Sequence, residues 1–205
     1  GNRAFLSSMA LAGTLAVPNT VTTIGNDAFA NTKLAGLDLS KATSLVEIGE
    51  RAFSNTNLAG TLKVGPAVKT IGAFAFQFAY IAYTKSHLDL SDATSLVEIG
   101  EGAFSTANLA GTLAVPNTVT TIGPYAFYNT ELTGLNLSKA TSLVEIGESA
   151  FSDTNLAGTL KMGPAVKTIG NDAFADTKLA GLDLSKATSL VEIGERAFSN
   201  TNLAG

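Results

Sequence analysis

Apolar and polar positions in this chain repeat as a long phrase rather than with one short helical or strand period. The phrase Ile-Gly-x-x-Ala-Phe stands at residues 24–29, 48–53, 71–76, 99–104, 122–127, 146–151, 169–174 and 193–198, and an incomplete copy covers residues 1–5. Successive phenylalanines, from Phe5 to Phe198, are 24, 24, 23, 28, 23, 24, 23 and 24 residues apart. So regular a step, broken once, predicts one array of stacked units.

Two unit types alternate. One reads TLAVPNTVTTIGNDAFANTKLAG and the other LDLSKATSLVEIGERAFSNTNLAG, so the full period is a pair of 47 residues. The array divides into a partial unit at 1–13 and eight units at 14–36, 37–60, 61–87, 88–111, 112–134, 135–158, 159–181 and 182–205. In each unit a short alternating stretch, Leu15-Ala16-Val17 or Leu37-Asp38-Leu39, has the two-residue period of a strand. Turn formers follow it, Pro18-Asn19 or Ser40-Lys41. Gly-x-x-Ala-Phe then predicts a tight bend into one or two helical turns, and Asn-Thr-x-Leu-Ala-Gly closes the coil. A unit this short cannot bury its own apolar side, so it must stack on its neighbours, with equivalent strands ~4.8 Å apart in a parallel sheet.

The segment LAGLDL at 34–39 fits the Leu-x-x-Leu-x-Leu signature of leucine-rich repeats, and LAVPNTVTTIGNDAF and LVEIGERAF resemble the BspA-like, Treponema-type class of those repeats. The resemblance runs through every unit. It implies an α/β solenoid, a superhelix with a parallel β-sheet on one face and short turns or helical turns on the other. It also implies a non-catalytic adhesion or recognition module at the cell surface or secreted, binding a protein or glycan on another cell or in the matrix. A structural spacer or filament segment is the alternative. The Thr14-type units depart from the signature by an extra residue, and no unit carries the Asn or Cys that many leucine-rich repeats place after the strand.

Composition narrows the chemistry. The net charge of -4 offers no basic footprint for nucleic acid, and no apolar run approaches the roughly 18 residues a membrane span needs. The chain has no cysteine, hence no thiolate ligand or nucleophile. No cofactor is called for. The one histidine, His87, precedes a strand near Asp89, but no serine sits in a nucleophile elbow. Glu47, Glu98, Glu145 and Glu192 alternate with Thr23, Thr70, Thr121 and Thr168, which puts the carboxylates about 10 Å apart, two coils away from each other. That is too far for calcium or for an acid/base carboxylate pair that cleaves glycosides. Arg51 beside Asp27 and Arg196 beside Asp172 are expected as ion pairs between coils.

Two groups of residues are candidates for contact with a partner. Mid-strand outward positions read Ala16, Asp38, Lys63, Asp89, Ala114, Asn136, Lys161 and Asp183, so Asp38–Lys63–Asp89 and Lys161–Asp183 form either register-fixing pairs or a charged ligand face. The unit at 61–87 is four residues longer than its relatives and reads IGAFAFQFAYIAYTKSH from Ile71 to His87. Phe76 is the regular core phenylalanine, whereas Phe74, Phe78, Tyr80 and Tyr83 are extra, and with His87 at the end of the segment they are the contact candidates here. They form either an aromatic contact surface or, with Ile81, a refilled core. Both ends of the array lack a polar cap, so a longer array or end-to-end self-association is expected.

Overall fold

The structure, a computed structural model, describes residues 1–79 and 86–204. Among them the chain forms sixteen strands. Eight carry the leucines: β1 (Ala12–Ala16), β3 (Lys33–Asp38), β5 (Thr61–Lys63), β7 (His87–Asp89), β9 (Ala110–Ala114), β11 (Glu131–Asn136), β13 (Ala157–Lys161) and β15 (Lys178–Asp183). Eight shorter ones end on the isoleucine of the repeated phrase: β2 (Thr23–Ile24), β4 (Glu47–Ile48), β6 (Thr70–Ile71), β8 (Glu98–Ile99), β10 (Thr121–Ile122), β12 (Glu145–Ile146), β14 (Thr168–Ile169) and β16 (Glu192–Ile193).

The continuous sheet is not the one the leucines predict. All eight isoleucine strands pair in parallel and in chain order, with Thr23, Glu47, Thr70, Glu98, Thr121, Glu145, Thr168 and Glu192 in one register row. The leucine strands instead pair only in twos, β1 with β3, β5 with β7, β9 with β11 and β13 with β15. Between pairs, the described residues make a single bridge, Ser86 to Leu109. The extra residue of the Thr14-type units explains the difference. Pairing jumps from Gly13–Leu34 to Thr14–Gly36, which leaves Ala35 as a bulge, and the same slip recurs at Thr133 and Ala180. The leucine ladder is therefore reset within three of its four pairs, whereas β5 and β7 run from Thr61–His87 to Lys63–Asp89 without a slip and the isoleucine ladder has no insertion to absorb.

The expected helical turns are absent: the described residues contain no helix, and the architecture is a parallel β-solenoid of eight coils. In place of helix, the Gly-x-x-Ala-Phe segments turn through left-handed residues such as Asp27 (φ 53°) and Asn31 (φ 56°). This alternation points the N–H groups of Asp27, Phe29 and Asn31 at the carbonyls of Glu50, Ala52 and Ser54 in the next coil, at 2.8, 2.8 and 2.9 Å. N–H groups spent between coils cannot close i→i−4 helical bonds. The glycine of the phrase is required by this close approach. A Cβ on Gly147 would lie 2.5 Å from the backbone nitrogen of Pro124.

One apolar interior runs through the coils. At its centre Phe5, Phe29, Phe53, Phe76, Phe104, Phe127, Phe151, Phe174 and Phe198 stack with ring centroids 5.1–5.3 Å apart. Threonine seals most turns beneath the rings: the buried hydroxyls of Thr32, Thr56, Thr130, Thr154 and Thr177 donate to the carbonyl of the phenylalanine three residues earlier. In the third and fourth coils that place is taken by Ala79 and Ala107.

Candidate functional site

The Gly-x-x-Ala-Phe turns form a wall on which two positions per coil are held left-handed by the hydrogen bonds between coils. Most coils fill those positions with Asp, Asn, Arg or Ser, and short polar residues tolerate this backbone best. The middle coils do not. Phe74 (φ 56°), Phe78 (φ 54°), Thr106 (φ 55°) and Tyr125 (φ 55°) make the same turns with bulky side chains, at a cost of roughly 1–3 kcal/mol each. The ladder imposes the conformation: the N–H of Phe74 donates to the carbonyl of Glu101 at 2.7 Å and that of Phe78 to Ser105 at 3.2 Å.

These rings are displayed rather than buried. Phe78 keeps 47% of its surface and Tyr125 37%. Phe74 is half-buried, with the Arg51 guanidinium 5.3 Å above its ring centroid. Its ring occupies the space a side chain at Gly102 would need, since a Cβ there would lie 2.4 Å from Phe74 Cδ1. Tyr125 and Tyr128 meet edge to face with centroids 6.0 Å apart, and the Tyr125 hydroxyl donates to Glu148 Oε1 at 2.6 Å. That bond to Glu148 holds the Tyr125 phenol above its usual pKa. Asp153 does the same to Tyr128, through the repulsion a phenolate would feel.

The sequence candidates therefore separate. Phe74 and Phe78 lie on the turn wall, and Tyr80 and Tyr83, with Ile81, lie outside the described residues. Asp38, Lys63, His87 and Asp89 belong to the leucine strands. Lys63 pairs with Asp92 at 2.9 Å, not with the expected Asp38 or Asp89. The reason is local: Asp38 and Asp89 each accept the backbone N–H two residues on, from Ser40 and Ser91, at 2.9 Å. Both carboxyls are held below the usual range, Asp38 by the Ser40 hydroxyl and then its N–H, Asp89 by the Ser91 N–H and then its hydroxyl. Asn136 and Asp183 close the same turn with Ser138 and Ser185. The exposed His87 ring lies by Gly111, whose added Cβ would be 3.2 Å from His87 Cδ2. No cluster of metal-ligating side chains occurs among the described residues.

The expected Arg51–Asp27 pair is also replaced. Asp27 pairs with Arg3 at 3.3 Å, and Arg51 turns to Glu50 at 2.7 Å and to the Phe74 face. Arg196 does pair with Asp172, at 3.2 Å. Sequence reasoning missed Tyr125 and Tyr128. Their signal was present in the phrase itself, where IGPYAFYN stands against IGNDAFAD.

Behind the interruption, Leu58, Leu62, Phe76, Phe104 and Ala107 line an apolar cleft of about 400 Å³ including its open mouth. The Ser86 hydroxyl at its edge is buried without a hydrogen-bond partner among the described residues.

Stacked parallel coils with a leucine strand, an isoleucine strand and a phenylalanine spine define a leucine-rich-repeat solenoid. The profile of the BspA type leucine rich repeat region matches in six copies over residues 1–86 and 82–204, and the chain belongs to that family. Among solved structures, a leucine-rich repeat protein from Bacteroides ovatus ATCC 8483 superposes with a TM-score of 0.61 at 20% identity, covering 98% of this chain and 55% of its own. The pneumococcal vaccine antigen PcpA superposes with a TM-score of 0.58 at 18% identity, covering 93% of this chain and 60% of its own. A leucine rich cell surface protein from Faecalibacterium prausnitzii A2-165 gives 0.48 at 20% identity, covering 99% of this chain and 66% of its own. The chain thus spans 55–66% of the length of these three proteins. None of the curated proteins matches it.

Proposed function

We propose that this chain is a non-catalytic recognition module, displayed at the cell surface or secreted, that holds a protein or glycan partner against the aromatic stretch of its turn wall. The observation that carries this function is the placement of Phe74, Phe78 and Tyr125 at left-handed positions, where the rest of the array uses mostly small or polar side chains. Folding gains little from a ring as strained and exposed as that of Phe78, and backbone strain of this kind concentrates where a surface is used. Exposed aromatics are also the side chains best suited to anchor a partner, because they bury much area and have few torsions to freeze.

The test is capture from a panel of extracellular-matrix proteins and immobilised glycans by the wild-type chain and by a Phe74→Asp/Phe78→Asn/Tyr125→Ser variant, which carries residues found at these positions in other coils. Wild-type binding that the folded variant loses supports the function. Equal binding by both removes the aromatic wall from it. A spacer role is favoured by the unbroken phenylalanine stack, and it predicts that neither protein captures anything.

A further inference from the structure

Alternate coils differ in the length of the loop joining the leucine strand to the isoleucine strand. The step is nine residues from Leu15 to Ile24, Leu62 to Ile71 and Leu113 to Ile122, but eleven from Leu37 to Ile48, Leu88 to Ile99 and Leu135 to Ile146. A shorter loop projects less, so each becomes the floor of a groove between two longer walls. Two grooves stand open. One, of about 1100 Å³ with its mouth, has Ala114 on its floor. The next, of about 960 Å³, repeats it one pair further on, with Lys161 on the floor, Asn136, Ser138 and Thr141 on one wall, and Asp183 and Lys186 on the other.

The equivalent floor position in the third coil is Lys63, and the comparison is informative. The wall there carries Asp92, whose carboxylate takes the lysine at 2.9 Å and bridges the groove. At the matching wall position opposite Lys161 the residue is Lys186. Neither Lys161 nor Lys186 forms an ion pair among the described residues. The one nearby carboxylate, Asp183, already accepts the Ser185 N–H at 2.9 Å. The groove therefore presents two cations to one carboxylate, among hydroxyls and the Asn136 amide, whose oxygen is used by Ser138 and whose NH₂ is left to donate. No aromatic ring lines it, which separates it from the aromatic-anchored pockets that grip peptides.

We propose that this groove binds an acidic glycan, with a carboxylate or sulfate between Lys161 and Lys186 and ring hydroxyls on Asn136, Ser138 and Thr141. The wall bearing Asn136 and Ser138 also borders the Ala114 groove, so the chain has a continuous polar track beyond the charged site. This site is on the strand face and is independent of the aromatic wall.

The array supplies its own variants. Lys186→Asp places opposite Lys161 the residue that closes the third-coil groove, and Asp92→Lys opens that groove. Lys167→Asp makes the same charge change outside either groove. The probe is a hexasaccharide of alternating uronic acid and amino sugar, unsulfated and sulfated, followed by calorimetric titration. The expected results are one site in the wild type and in Lys167→Asp, at least tenfold weaker binding in Lys186→Asp, and two sites in Asp92→Lys. Wild-type affinity in Lys186→Asp overturns the proposal, as does equal loss in Lys167→Asp or an unchanged site number in Asp92→Lys. A glutamate hexapeptide bound as tightly as the saccharide overturns the assignment to glycan. Absence of saccharide binding by the wild type overturns it outright, and the aromatic-wall variant is expected to bind the saccharide normally.

Discussion

The turn wall at either end of the array and the turn wall at its middle share one backbone and differ in what they show to solvent. Asp27, Ser149 and Asp172 pass through the left-handed region with short polar side chains, whereas Phe74 and Tyr125 make the equivalent turn with rings. Both are held by the same ladder of bonds between coils, Asp27 to Glu50 at 2.8 Å and Phe74 to Glu101 at 2.7 Å. The scaffold is thus fixed from inside, by glycine contacts and the phenylalanine spine, and the outward side chain is free to vary. Strain that an isolated turn would release is retained because each coil is bonded on both sides.

That division is broken most severely from the inside. Phe127→Ala should destabilise by about 3–5 kcal/mol, since it empties a fully buried ring position in the stack. Gly147→Ala should cost about 3 kcal/mol, because the atom it would strike is backbone and cannot swing away. Urea unfolding of each variant checks both figures. If either were as mild as a surface substitution, the interior would not be what sets the wall.

Phe78→Asn sharpens the contrast from outside. Asn tolerates the left-handed backbone and the exposed ring gives up little packing, so stability should rise by about 1 kcal/mol, read as a higher thermal midpoint. A fall would mean that the ring packs on the wall more than its exposure implies.

The tyrosines give a smaller, pH-dependent signal. Tyr125 and Tyr128 have folded pKa values raised above the unfolded value, so their contribution is complete below about pH 10 and is lost as pH rises through the folded pKa. Absorbance titration of the phenols should show both ionising later than a free tyrosine, and Glu148→Gln should return Tyr125 toward the ordinary value.

The least effect is expected at the turn acids. Asp38 is lowered by its bonds from Ser40, so its contribution is present above the ordinary carboxylate range and is lost as pH falls through the depressed folded value. Asp38→Asn should keep the turn, as Asn136 does, and flatten that part of the acid limb of a stability–pH curve.

Much of this was legible in the residues. Repetition of one phrase located Ile24, Phe29 and their equivalents in a shared core, and the alternation of Thr and Glu put Thr23, Glu47 and their equivalents in one row, although no strand was expected at the isoleucines. The aromatic interruption was visible, but its neighbours Tyr125 and Tyr128 were not singled out, because nothing in a linear repeat says that coils three and five share a wall. Lys63 was assigned to Asp38 and Asp89 by register alone. The structure gave it to Asp92, since the strand acids are already held by the following serines.

By itself the sequence determined the stacking, its period and the residues of the interior, since a unit of this length has no other way to bury its apolar side. Only the tertiary structure decided which strands form a continuous sheet, that the turns are left-handed rather than helical, and which surface charges find partners. Those outcomes depend on bonds and close approaches between coils, where a one-residue bulge or a neighbouring backbone that leaves no room for a Cβ outweighs any local preference.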